Sequence, residues 1–178
     1  VYIGFGSMVS GDMGELAEII RQAVKLSGVR AVVALGWGQQ EAKTKDANIF
    51  YVKSVPHDWL FPHMAGAVHH GGAGTTATSL RHALPTLVVP FGGDQPFWAE
   101  RVYAAGCGPK AIPRDKLTAE NLAEGLRALI SNPEYTRNAA RIGETLRNEH
   151  GCANAADLIE KAVWDWENGN PAQDGMNI

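Results

Sequence analysis

The chain has 178 residues, 45% of them hydrophobic and 20% charged, with a formal net charge of −3. This is the make-up of one globular domain long enough for a core of its own, and with no basic run it offers no surface for nucleic acid or an anionic membrane. Its two cysteines, Cys107 and Cys152, are too few for a disulfide scaffold or a cysteine zinc site, and no apolar run nears the roughly 18 residues of a membrane span, so a reducing cytoplasm is the expected compartment.

The sequence opens at Val1 inside an apolar run and without an initiator Met, which predicts a piece of something longer. VYIGF (1–5) reads as a buried strand ending in the turn Gly6-Ser7. A helix follows with Asp12 as N-cap and Glu15 three residues on; Leu16, Ile19, Ile20, Ala23 and Val24 share its apolar face and Gly28 ends it. RAVVALG (30–36) and NIFYV (48–52) read as strands two and three, and HDWLFPHM as a short helix or turn in which Trp59 and Phe61 are expected to pack in the core. AGAVHH (65–70) is strand four, a helix starts in the glycine cluster behind it, and PTLVVPF (85–91) is strand five. Four helices complete the chain. One spans 94–106 and closes at Gly106; the next is capped by Thr118; a third opens with Asn132-Pro133 and carries the stripe Tyr135, Ala139, Ile142 and Leu146; the last runs from about 153 to 167 with Ala155, Ile159, Val163 and Trp166 on one side. Strand and helix alternate and the strands are almost wholly apolar. This predicts an open, doubly wound, Rossmann-like α/β domain over 1–168 with a parallel sheet, and a loose polar tail at 169–178.

In such a sheet ligands sit beyond the carboxyl ends of the strands. HHGGAGTT (69–76) lies at such an end. Its glycines let the backbone approach a ligand, and the free amides of the following helical turn face an anion. Thr75 adds a hydroxyl and His70 an imidazole, so the segment reads as a cradle for phosphate oxygens, although a turn that merely joins strand to helix satisfies the same pattern. The Lys of a P-loop is missing, and GFGSMV after strand one lacks the third glycine of a dinucleotide fingerprint. Adjacent strand residues point to opposite faces, so His69 and His70 do not form a metal pair, and His69 is the packed one. Ser7 ends strand one, and Asp94 and Gln95 follow strand five. A carboxylate beside a carboxamide suits a polyol, while Asp94 also fits a helix N-cap. A phosphate cradle next to a polyol clamp points to a nucleotide sugar.

These blocks carry a resemblance. GFGSMV, VPHDWLFPHMAGAVHHGGAGTT, PTLVVPFGGDQPFWAERV and GPKAIPRDKLTAENLAEGLR resemble the C-terminal, donor-binding domain of UDP-sugar-dependent GT-B glycosyltransferases, and within them the sterol 3β-glucosyltransferases. The resemblance implies that His70, Ala73, Gly74 and Thr75 hold the diphosphate with Gly72 permitting the approach, and that Ser7 faces the phosphates. It further implies that Val55 contacts the uracil with His57 beside it, and that Asp94 and Gln95 bind glucose hydroxyls. Plant secondary-metabolite relatives carry Trp where Ser54 stands and a ribose-binding Glu where Thr78 stands, so base stacking falls to another group. Trp37 is a candidate for it, or for simple packing, and Trp98 for covering the sugar or for packing its helix. The implied donor is UDP-glucose, with no cofactor and no metal. The implied acceptor is a sterol or other lipophilic molecule held by an N-terminal domain that this chain lacks and that supplies the general base, and any peripheral membrane contact belongs to other domains. The alternatives are a transferase for another lipophilic aglycone and a non-catalytic nucleotide-sugar-binding module.

Overall fold

The computed structural model describes residues 1–6, 13–34 and 46–169. Their contacts divide the chain into two units, Val1–Leu146 and Arg147–Ile178. In the first, the apolar runs form five parallel strands, β1 (Tyr2–Gly4), β2 (Ala31–Ala34), β3 (Ile49–Val52), β4 (Ala67–His69) and β5 (Thr86–Val88), in the order β3-β2-β1-β4-β5. Tyr2 is in register with Val32 on one side and Ala67 on the other, so β1 is the central strand. The chain works outward from β1 to β3 and then returns to start β4 on β1's other edge. The strand order therefore reverses between the paired strands β1 and β4, and the segments leaving their carboxyl ends flank a crevice there.

Side chains alternate across the sheet. Ile3, Val68 and Leu87 face one layer, where they pack with Leu16, Ile20 and Val24 of α1 (Met13–Ser27) and Leu122, Leu126 and Leu129 of α5 (Ala119–Ser131). Thr118 caps α5 in a reciprocal box, its hydroxyl accepting from Asn121 N while Asn121 Oδ1 accepts from Thr118 N. The Asp12 cap expected for α1 lies outside the described residues.

On the opposite face Tyr2 and Ala67 pack with Leu60 and Phe61, which belong to α2 (His57–Leu60) and the 3₁₀ turn Phe61–His63 that follows it. Beside them Val88 packs with Leu80 of α3 (Ala73–Arg81), Ala99 and Val102 of α4 (Gln95–Ala104) and Ala139 of α6 (Pro133–Asn148). Phe61 is fully buried, as expected, but Trp59 is 64% exposed and not a core residue. It stands on the outer side of a one-turn helix, its ring edge against His63. The stripe of α6 is buried mainly through Ala139, with Ile142 and Leu146 partly covered.

In the second unit α7 (Gly151–Glu167) begins two residues before the expected start, and Leu158, Ile159, Val163, Trp164 and Trp166 are exposed. The polar tail beyond Gly169 is outside the described residues. No helix among the described residues is long and apolar enough to cross a membrane.

Candidate functional site

At the β1/β4 crevice lies a recess of about 300 Å³. Its wall includes Gly6, Ser54, Val55, His57, His70 and Thr75, so it joins residues that the sequence places after three different strands. Tyr2, Gly4, Ala34 and Lys53 complete the lining, and the sequence reading missed all four. Lys53 had a legible signal, being a cation at the carboxyl end of β3. A wider recess of about 680 Å³ lies at the amino ends of the strands, around Arg30, Asn48 and Phe50, and holds none of the expected site residues.

His70 sits just past the end of β4 between two glycines. A Cβ on Gly6 would meet its Cε1 at 3.3 Å, and a Cβ on Gly72 would meet its Nε2 at 2.6 Å. The glycines thus make the slot that the imidazole fills. Burial pulls the His70 pKa below its ordinary value, and the Asp94 carboxylate opposes part of that pull. Neutral imidazole is therefore the resting form near pH 7. Gly72 is the N-cap of α3 and has no side chain to offer the first turn, so the amides of Ala73, Gly74 and Thr75 lack a side-chain cap and carry the positive end of the helix dipole. Farther along, the Thr78 hydroxyl is tied to Gly74 O at 2.9 Å.

His69 has the opposite surroundings. It is fully buried, its Nδ1 accepts from Gly71 N at 3.0 Å, and its Nε2 has no partner among the described residues. Burial, with His70 and His57 nearby, lowers its pKa to about 3. Gly71 has φ +91°, and a Cβ there would lie 2.6 Å from Val88 Cγ1. His69 therefore fixes the backbone of the loop from behind while His70 faces the recess.

Asp94 and Gln95 stand apart from the lining. Asp94 occupies the N-cap position of α4 but makes no backbone cap; its Oδ2 accepts from Trp98 Nε1 at 2.8 Å. The partly buried Trp98 thus serves to hold the carboxylate. Gln95 is buried, and its Oε1 accepts from Phe91 N at 2.7 Å and Gly92 N at 3.2 Å, shaping the loop after β5. Ser7 and Trp37 lie outside the described residues. Among the described residues no three His, Cys, Asp or Glu side chains converge as a metal site would require.

A parallel α/β unit with a glycine-lined recess at its topological switch point defines a Rossmann-like class of domain, and comparison with known proteins narrows it. Residues 18–160 match the family described as erythromycin biosynthesis protein CIII-like, C-terminal domain, and the chain belongs to that family. It is 44% identical over 163 residues to a sterol 3-beta-glucosyltransferase of Arabidopsis thaliana (UGT80B1), a match covering 90% of this chain and 26% of that protein. To the sterol 3-beta-glucosyltransferase of Kluyveromyces lactis it is 42% identical over 167 residues, covering 89% of this chain and 14% of the other. The chain thus spans about a quarter or less of these relatives. Among solved structures, the glycosyltransferase VinC in complex with dTDP superimposes with a TM-score of 0.68 at 26% identity, over 83% of this chain and 37% of that one.

Proposed function

We propose that this chain is the donor-binding part of an inverting glycosyltransferase that moves glucose from UDP-glucose to the 3-hydroxyl of a sterol-like lipid. The observation that carries the reading is the slot between Gly6 and Gly72 that sets His70 beside the uncapped first turn of α3. Similarity to sterol 3-beta-glucosyltransferases supports the sugar and the acceptor class.

As the acceptor oxygen attacks the anomeric carbon, the bond to the diphosphate breaks and charge builds on the departing UDP. The α3 amides, His70 and Thr75 stabilise that charge in place, and as fixed donors they need no reorganisation. Val55 contacts the base, with His57 beside it. The acceptor's proton goes to a base on another domain. On this reading no metal takes part and the protein works in the cytoplasm.

Titration calorimetry tests the donor site. UDP is expected to bind the chain weakly, with EDTA making no difference; a folded chain that gives no heat at millimolar UDP overturns the reading, and a strict metal requirement overturns its metal-free form.

The Asp94–Trp98 pair sharpens the sugar assignment. Asp94→Ala is expected to leave UDP affinity nearly unchanged and to erase any preference for UDP-glucose over UDP. Because Asp94 caps no backbone amide, the melting temperature is expected to hold. Equal losses for the two ligands, or an intact sugar preference, count against a glucose contact.

A further inference from the structure

We propose that Tyr2 is a positioning residue of the donor recess: its hydroxyl, laid across Gly4, holds His57 in the tautomer that keeps a hydrogen on Nδ1 for an acceptor oxygen of the bound nucleoside. The inference rests on the reading that the recess takes a nucleoside diphosphate.

Tyr2 and Gly4 lie on the same face of β1, two residues apart. A Cβ on Gly4 would collide with the Tyr2 hydroxyl and ring. Only glycine there lets the ring lie along the strand and bring Oη to the recess. The Tyr2 Oη is 3.0 Å from His57 Nε2. The His57 ring stacks on Phe61 with centroids 4.5 Å apart and planes at 16°, and Phe61 meets Tyr2 edge-on at 5.2 Å. Two rings, Tyr2 of β1 and Phe61 of the 3₁₀ turn, thus fix the plane of the His57 imidazole.

The direction of the hydrogen bond follows from satisfiability. Tyr2 is 3% exposed and its hydroxyl has no other acceptor among the described residues. Were Nε2–H the donor, the phenolic hydrogen would have no acceptor among the described residues. The hydroxyl therefore donates, Nε2 accepts, and the proton of neutral His57 resides on Nδ1. Burial supports both halves, raising Tyr2 to about 12 and lowering His57. Nδ1 has no partner among the described residues, while His57 lines the recess. What enters the recess meets a donor there, and a base carbonyl or a ribose hydroxyl oxygen suits it.

The test reads the tautomer first, by ¹⁵N NMR of the unliganded chain, with the His57 signals assigned by their loss in His57→Ala. Nδ1 is expected to carry the hydrogen in the parent chain, and Tyr2→Phe is expected to shift it toward Nε2 while the rings stay packed and the melting temperature holds. UDP affinity is expected to fall about three- to ten-fold in Tyr2→Phe, the range for one neutral hydrogen bond, and Tyr2→Phe is expected to add nothing in a His57→Ala background. Comparing UDP with 2′-deoxy-UDP and CDP tests the ribose 2′-hydroxyl and the uracil O4 in turn, because the penalty shrinks with the ligand that lacks the oxygen read. An Nε2-protonated His57 in the parent chain overturns the proposal and needs no variant. So does a Tyr2→Phe loss that is as large without His57 as with it. If UDP fails to bind at all, the donor reading falls, while the tautomer result still reports on the Tyr2–His57 pair.

Discussion

Gly72→Ala is expected to weaken UDP binding about ten-fold or more while leaving the fold intact. Gly72 has φ −61° and ψ 142°, a conformation open to any residue, so the backbone accepts alanine without strain. The added methyl would lie 2.6 Å from His70 Nε2. That atom is the far end of a side chain whose buried Nδ1 has no hydrogen-bond partner among the described residues, so the imidazole gives way and leaves its slot. The loss is that of a hydrogen bond to a charged phosphate, about 1.5–3 kcal/mol. Calorimetry with UDP, beside a melting curve, checks it. Unchanged affinity would show that His70 does not serve the phosphates. Gly71→Ala is the contrasting case: its φ of +91° and the nearby Val88 Cγ1 turn the same change into a folding defect.

Mild acid is expected to destabilise the chain through His69. Its pKa is about 3 in the fold against an ordinary 6.5, so between those values the unfolded chain binds a proton that the native chain refuses. The stabilisation is whole above pH 6.5 and drains away as the pH falls toward 3. For a single group the slope is about 1.4 kcal/mol per pH unit, so lowering pH from 7 to 5 removes roughly 2 kcal/mol. Urea unfolding at both values measures it. In His69→Asn, whose side-chain oxygen can still accept from Gly71 N, the drop is expected to shrink sharply. A drop of the same size in the variant would show that His69 is not the group that resists protonation.

Much of the fold was legible because its strands are runs such as VYIGF and PTLVVPF, whose apolar continuity has one stable outcome, burial on both faces of a parallel sheet. Caps were equally plain: Thr118 and Asn132 each bond an amide of the helix they precede. The glycine cluster after β4 was legible from its composition, and the structure sets Gly71 against Val88 and Gly72 against His70. Tyr2 was not, because an aromatic in an apolar strand reads as core. Only its spacing from Gly4 marks it out, and that needs the ring's path along the strand. Trp59 failed for a related reason. One helical turn has no periodicity, so nothing in HDWL says which side faces inward. Gln95 illustrates a different limit: its carbonyl is engaged by the backbone amides of residues 91 and 92, and no spacing rule reports where a side-chain amide finds its partner.

The position of β1 at the centre of the sheet has a consequence for how such a protein changes over time. The crevice between β1 and β4 arises from the order in which the strands were laid down, so no side chain has to be given up from the core to make room for a ligand. Apart from Tyr2, Gly4 and Ala34, the groups around it stand on the segments after the strands, at Gly6, Lys53 to Val55, His57, His70 and Thr75, whereas the largest buried cluster of the unit gathers Ile3, Leu16, Leu122 and their neighbours one layer away. Drift in those segments can therefore alter what the recess accepts while the hydrophobic layer stays untouched. A lineage built on this wiring can diversify its chemistry without passing through an unfolded ancestor.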